Sequence, residues 1–321
     1  MSAALTGRLA PSPTGAQHLG NARTYLLAWL SIRSRGGRVL VRIEDIDSPR
    51  VKPWAVQQAL DDLHWLGLDW DEGPDRGGPH APYVQTERVA QYRAALDELR
   101  RAERVYPCTC TRSDVAAAAS APHVGQEGPI YPGLCAARRA ADVAQLVDRP
   151  FAWRYRMSDK LLTFDDRVAG RQLCQVAEQL GDYVIAKADG SPAYQLAVVV
   201  DDHAMGVTEV LRGDDLIPST FRQLELYAFF GWQPPQFAHV PLVVGPDGRR
   251  LAKRHGDTRL SQLREAGVQP ERLIGLLAQS CGLRPNAEPA RAVDLLDDFD
   301  LAKINHEPWV LTEQMWRGVG G

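Results

Sequence analysis

Arg8-Leu-Ala-Pro-Ser-Pro-Thr-Gly-Ala-Gln-His18-Leu-Gly20-Asn21 decides how the rest of the chain is read. It opens as a short strand and bends through two prolines and a glycine. It then delivers His18 and Asn21 to the start of an apolar-periodic helix marked by Tyr25, Leu26, Trp29, Leu30 and Ile32. A strand, a Pro/Gly turn and a helix N-terminus together make an anion site. The first-turn N–H groups lack intrahelical partners, and the helix dipole favours a phosphate there. A histidine and an asparagine at that point add side-chain donors able to follow a phosphate through a reaction. His-x-Gly alone is a common tripeptide and fits an ordinary strand-to-helix corner. The extended run is far more specific.

Outward from that run, Arg38-Val-Leu-Val-Arg-Ile43 reads as a buried strand ending in Glu44-Asp45-Ile46-Asp47. A helix is expected from about Pro53, with Ala55, Val56, Ala59, Leu60, Leu63 and Leu66 on one side. Residues 73–82, rich in Gly and Pro, form a loop, and Val89, Tyr92, Leu96 and Leu99 mark an amphipathic helix over Glu87 to Glu103. Strand, helix, strand, helix opens a doubly wound parallel sheet. Between 105 and 190 the texture changes to three cysteines within 28 residues, an alanine run and a Gly/Pro loop, which predicts an inserted subdomain. Strands are expected again at Ala193 to Val200, Gly206 to Arg212 and His239 to Val244, with a helix over Thr220 to Phe230. Short helices should follow over Thr258 to Ala266, Pro270 to Cys281, Leu295 to Ile304 and Pro308 to Trp316. The expected organisation is an α/β, Rossmann-like doubly wound sheet over 1–104 and 191–256. It is interrupted by a metal-bearing insert over 105–190 and closed by a helical region over 257–321.

The 321 residues are 45% hydrophobic and 24% charged, ordinary for a soluble globular protein of two or three domains. The N-terminus shows no basic-then-apolar leader, and no apolar run approaches the roughly 18–20 residues that cross a bilayer. Five cysteines, an odd number with two of them one residue apart, fit a reducing compartment better than a disulfide framework. A cytoplasmic protein without membrane or obligate protein partner is expected. Net charge is −3, so a nucleic acid would have to meet a local basic face. Candidates are Arg100, Arg101 and Arg104, then Arg138 and Arg139, then Arg249, Arg250, Lys253 and Arg254.

Four further stations carry chemistry. Glu44 stands at the carboxyl end of the second strand, where such sheets bind ligands and a carboxylate can hold an ammonium group. Tyr194 in Ser-Pro-Ala-Tyr-Gln-Leu-Ala offers a phenol. Arg212 in Val210-Leu-Arg-Gly-Asp-Asp215 stands where a strand stops, and its planar fork suits a carboxylate. Buried in a pocket, it would reject a neutral amide by leaving its own charge unpaired. Lys253, in Arg249-Arg-Leu-Ala-Lys-Arg254, is one of only five lysines, a compact point charge in an arginine-rich chain.

The run from Arg8 to Asn21 resembles the first signature of class I aminoacyl-tRNA synthetases in its glutamyl/glutaminyl form, and the later stations extend that resemblance to about residue 255. The resemblance implies that His18, Gly20, Asn21 and Lys253 hold ATP with its Mg2+, with His18, Asn21 and Lys253 serving catalysis. It likewise implies that Arg8, Ser12, Glu44, Tyr194 and Arg212 hold L-glutamate. The second signature here reads Arg250-Leu-Ala-Lys-Arg254 and lacks the usual first lysine and the serine. The lysine of the reaction is retained, so activity is expected, with a slow or tRNA-indifferent second step as one consequence.

Cys108-Thr-Cys110 and Cys135 supply three of the four tetrahedral ligands that a structural zinc takes. The fourth could come from Tyr131, His123, Glu127 or water, and chemistry alone favours His123. Tyr131-Pro-Gly-Leu-Cys135 after Cys-x-Cys resembles one branch of the family in which that tyrosine is the fourth ligand, which implies Cys108, Cys110, Tyr131 and Cys135 around one Zn2+. About 65 residues follow the second signature, too few for the anticodon-binding region of full-length glutamyl-tRNA synthetases. Insert and length together resemble the glutamyl-queuosine tRNA(Asp) synthetases. The resemblance implies tRNA-independent activation of glutamate and its transfer to queuosine in the anticodon loop of tRNA(Asp). Two alternatives stand beside it: a shortened enzyme charging the 3′ end of tRNA(Glu), and a degenerate paralogue that binds glutamate or tRNA without chemistry.

Overall fold

The structure, a computed structural model, describes residues 4–13, 15–46, 51–118, 129–249, 251 and 258–320. Lys253, Asp47, His123, Glu127, Arg250 and Arg254, named above, lie outside the described residues.

Strand β1 (Thr6–Leu9) leads through the proline turn into α1 (Leu19–Arg33), which returns to β2 (Arg38–Val41). Helix α1 is buried almost all round, from Leu19 through Ile32, so it is a central helix rather than a surface one. Its close approach to β1 requires Gly7, because a Cβ there would lie 2.4 Å from an Ile32 side-chain carbon. Helices α2 (Pro53–Trp65) and α3 (Val89–Arg101) follow on opposite faces of the sheet.

The chain then leaves the sheet. Strand β3 (Val105–Cys108), helix α4 (Arg112–Ala118), strand β4 (Ala152–Tyr155) and the hairpin β5 (Leu161–Asp166) and β6 (Gly170–Gln175) come next. A single turn, α5 (Val176–Gln179), and strand β7 (Tyr183–Lys187) complete the excursion. Strands β3, β4 and β7 form a small antiparallel sheet of their own, and β5 pairs only with β6.

Helix α6 (Tyr194–Ala204) brings the chain back to β8 (Glu209–Gly213), α7 (Ile217–Phe230) and β9 (Gln236–Val240). The main sheet is parallel, in the order β2-β1-β8-β9. Its residues alternate between two cores, as the period of two requires. Val39, Val41, Leu211 and Ala238 face α1 and α2, while Leu40, Val210 and Phe237 face α3, α6 and α7. Chain order reverses between β1 and β8, so the crevice beyond their carboxyl ends is the switch point where such sheets bind ligands. After β10 (Val243–Val244) come α8 (Leu260–Glu265), α9 (Pro270–Ser280), β11 (Trp309–Val310) and α10 (Glu313–Gly320).

Three expectations fail. The segment from Ala193 to Val200 is not a strand, because Tyr194 begins α6. Leu196 through Asp202 are buried on every side, so no amphipathic period is left to read, and a short apolar run does not distinguish strand from buried helix. In the tail, the helix expected over Leu295 to Ile304 is two 3-10 turns, Ala292–Leu295 and Leu301–Lys303. The segment after Pro308 begins as β11, paired in parallel with β10, before α10 starts. Sheet pairing and a carboxylate cap at Asp300 outweigh the local helical pattern there.

Candidate active site

Arg8 is the third residue of β1, and Arg212 the fourth of β8, so both reach the carboxyl edge of neighbouring parallel strands. Glu44 follows β2, its N–H donating to Pro11 O at 3.0 Å, which ties the acidic turn to the proline bend. Tyr194 opens α6 and lines the same crevice. Arg8, Ser12, His18, Gly20, Asn21, Glu44, Tyr194 and Arg212 line a single cleft of about 550 Å³. Every described residue singled out for glutamate or ATP is thus in one place.

Asn21 Oδ1 accepts the His18 N–H at 3.2 Å, closing the first turn of α1. The two signatures also meet. Leu19 N–H donates to Thr258 O at 3.1 Å, Leu260 N–H donates to Gln17 O at 2.9 Å, and Leu251 lines the cleft. The residues flanking the second signature are therefore bonded to the first, although Lys253 itself is outside the described residues.

The charges beneath the cleft are arranged in a connected set. Arg42 is fully buried, donates to Glu44 at 3.0 Å and forms an ion pair with Asp202 at 2.7 Å. Asp202 also faces Arg8 Nε at 3.6 Å. Neighbouring Asp201 accepts from Arg88, Gln85 and Tyr92, at 2.7, 3.0 and 2.8 Å, locking α3 to α6. Burial pushes the Glu44 carboxyl up from its ordinary value, and Arg42 and Arg8 oppose that rise. Burial, then the Glu44 charge, likewise raises the Tyr194 phenol.

Arg212 is held by its Nε and Nη2 edge. Nη2 donates to Thr220 Oγ1 at 2.6 Å and Gln223 Oε1 at 2.8 Å, and Nε donates to His239 Nε2 at 3.1 Å. Its Nη1 is buried without a hydrogen-bond partner, as is Arg8 Nε. An unused donor on the buried Arg212 guanidinium, in a cleft also lined by Arg8 and the Glu44 carboxylate, suits a small molecule bearing both carboxylate and ammonium groups. Asp201, Asp202, Thr220, Gln223, His239 and Arg42 were not anticipated from sequence. The one available signal was the acidic pair closing the apolar run Leu196 to Val200.

Residues 4–311 match the family model of class I tRNA synthetases (E and Q), catalytic domain. A glutamyl-Q tRNA(Asp) synthetase of Rhodopirellula baltica is 52% identical, over 95% of this chain and 96% of that protein. Another from Symbiobacterium thermophilum is also 52% identical, over 95% of each chain. The crystal structure of a glutamate-tRNA synthetase from Elizabethkingia anophelis superposes with a TM-score of 0.84 at 28% identity, covering 97% of this chain and 69% of that one. The chain belongs to the glutamyl-Q tRNA(Asp) synthetases. It is a class I ligase of the aminoacyl-tRNA synthetase type.

A second site lies at the end of β3. The sulfur atoms of Cys108, Cys110 and Cys135 lie within 4.8 Å of one another, all as free thiols. Cys110 and Cys135 Sγ are 3.6 Å apart, and Tyr131 Oη is 3.4 Å from Cys108 Sγ and 3.7 Å from Cys110 Sγ. A tetrahedral ion with metal–sulfur bonds of about 2.3 Å would separate sulfurs by about 3.8 Å and sulfur from oxygen by about 3.5 Å. The donor set therefore fits a metal ion. Burial raises the Cys135 thiol, but the Thr109 backbone hydrogen bond, the hydrogen bonds with Tyr131 and Cys110 and the Arg138 charge outweigh it and bring the thiol down to about 7. Burial pushes the Cys110 thiol up to about 11.

Proposed function

We propose that the cleft joins L-glutamate to ATP without tRNA and then transfers the glutamyl group to the queuosine at the wobble position of tRNA(Asp). The observation that carries the reading is Arg212. It is a buried guanidinium held through Nε and Nη2, with Nη1 left without a hydrogen-bond partner, in a cleft also lined by Arg8 and Glu44. Arg212 and Arg8 take the carboxylates of glutamate, Glu44 its ammonium group, and Ser12 and Tyr194 complete the pocket. His18, Gly20, Asn21 and Lys253 hold the phosphates. Glutamine, with a neutral amide, leaves a buried cation unpaired and is rejected.

No side-chain nucleophile is needed. The α-carboxylate oxygen of glutamate attacks the α-phosphorus, the bond to the bridging β-phosphate oxygen breaks, and pyrophosphate leaves. A hydroxyl of the queuosine cyclopentenediol then attacks the acyl carbon, losing its proton as AMP departs with the electron pair of the acyl–oxygen bond. Catalysis is in-line positioning plus stabilisation of charge at phosphorus. His18, Asn21 and Lys253 would follow that charge, and Mg2+ bound with ATP would neutralise the leaving pyrophosphate. Cys108, Cys110 and Cys135 with Tyr131 would hold one structural Zn2+, distant in role from the chemistry.

Transfer of labelled glutamate tests this on purified tRNA(Asp) with and without queuosine, beside tRNA(Glu). Label confined to the anticodon fragment of queuosine-containing tRNA(Asp) is the expected result. Label at the 3′ end of tRNA(Glu) would replace the reading with acceptor-end charging. Absence of glutamate-dependent ATP–pyrophosphate exchange would remove the enzymatic reading altogether.

A further inference from the structure

Asp166 closes β5, outside the main sheet and 46 residues before Arg212 in sequence, yet its side chain is buried against β9. Its Oδ1 accepts the N–H groups of Val168 and Ala169, at 2.9 and 2.8 Å, and the backbone N–H of His239 at 2.9 Å. The first two bonds cap the β5–β6 turn, which an asparagine would do equally well. Its other oxygen, Oδ2, is 2.6 Å from His239 Nδ1. The opposite ring nitrogen, Nε2, faces Arg212 Nε at 3.1 Å and Thr220 Oγ1 at 3.0 Å.

An ionised carboxylate only accepts hydrogen bonds and a guanidinium only donates them. A ring between the two satisfies both only as the neutral tautomer with hydrogen on Nδ1 and a bare Nε2. In the other tautomer, or doubly protonated, two donors would face each other across the Arg212 contact. The aromatic rings of Phe164 and Phe237 lie beside the imidazole, with ring centres 6.2 and 6.1 Å from its own.

We infer that Asp166 and His239 are positioning residues for amino-acid recognition: Asp166 fixes the His239 tautomer, and His239 fixes the Arg212 guanidinium so that its unpartnered Nη1 faces the cleft. The hairpin outside the parallel sheet thereby sets substrate affinity without touching substrate. The inference rests on the reading of Arg212 as the carboxylate-binding group.

Asp166→Asn tests it with almost no change of shape. The amide oxygen can keep the three N–H bonds, while its NH2 faces Nδ1 and forces hydrogen onto Nε2. Expected in full-length enzyme is a rise in the KM for glutamate of about tenfold to a hundredfold, with kcat and the KM for ATP within about twofold. His239→Gln retains an acceptor near the Nε2 position and should cost less. In that background, adding Asp166→Asn should cost nothing further, since no imidazole remains to misorient. An unchanged glutamate KM in Asp166→Asn overturns the inference, and so do equal losses in kcat and in both KM values, which mark a merely structural role. Imidazole 15N shifts of the histidine-labelled protein provide a readout that needs no activity. The Nδ1–H tautomer of His239 is expected in the parent chain and the Nε2–H tautomer in Asp166→Asn, and any other tautomer in the parent chain refutes the inference. Loss of exchange in the parent chain would strike the proposed function alone.

Discussion

In the cleft, Arg8, Arg42 and Arg212 meet Glu44, Asp202 and His239 through contacts supplied by four parallel strands and α6. Around Cys108, Cys110 and Cys135 the sulfur atoms meet chiefly one another and Tyr131. The first arrangement pairs its charges largely inside the protein and leaves Arg212 Nη1 buried without a hydrogen-bond partner. The second gathers up to three anions, with Arg154 over the Tyr131 ring and the Arg138 charge acting on Cys135 as partial compensation. A polar cluster of the first kind keeps its shape empty, whereas one of the second kind depends on an ion for its stability.

Arg212→Gln breaks the cleft while leaving the cluster alone. It should lower kcat/KM for glutamate in exchange about a thousandfold, about 4 kcal/mol, because it removes a charge held in a dry pocket. Metal content and thermal stability should stay near those of the parent chain. A variant that lost metal along with glutamate would show that the two regions are not separable.

Cys135→Ala is the converse. Metal content should fall from about one ion per chain to near zero, and the melting temperature by about 5–10 °C. The glutamate KM should move by less than about threefold, since the cluster sits on the small antiparallel sheet rather than the parallel one. A large rise in that KM would mean that the ion supports the cleft through β3 and β4.

Much of this contrast was legible in the chain. The proline turn, the helix it starts and the charged residues at strand ends are local patterns, and all described members of the predicted pocket share one cleft. The cysteine spacing is equally local. What escaped were contacts that sequence distance hides. His239 bonds Asp166 across 73 residues, and Asp201 bonds Gln85, Arg88 and Tyr92 across more than 100. Tyr194 was assigned to the site but to the wrong element, because Leu196 to Val200 is buried on all sides and has no period to betray a helix.

Asp62 on α2 shows what a buried charge does without either device. Its two carboxylate oxygens have no hydrogen bond, and Arg264 Nη2 approaches only to 3.6 Å. Burial raises its pKa to about 7, with Arg264 opposing. An unfolded aspartate ionises near about 3.9. The native chain therefore binds more protons between those values, and its stability falls as pH rises through that window, then levels off. Asp62→Asn removes the dependence. Urea unfolding at pH 5 and pH 8 should show the variant gaining about 1–2 kcal/mol on the parent chain across that interval. A constant difference would mean that Asp62 is ionised throughout.

The smallest effect bears on the fourth ligand. Arg154 Cζ lies 3.7 Å from the centre of the Tyr131 ring, held there by donation to Asp182 O at 2.8 Å, while Cys135 N–H donates to Tyr131 Oη at 2.7 Å. Burial, and then the contact with Cys108, raises the Tyr131 phenol, so losing its proton to a metal needs nearby positive charge. Arg154 over the ring face supplies one. Arg154→Met should weaken zinc binding about fivefold in a chelator competition, about 1 kcal/mol. In a Tyr131→Phe background the same change should have no further effect, because no phenolate remains for the guanidinium to stabilise. An undiminished fivefold loss there would mean that Arg154 acts on the thiolates directly, and Tyr131 would be a neighbour of the metal rather than its ligand.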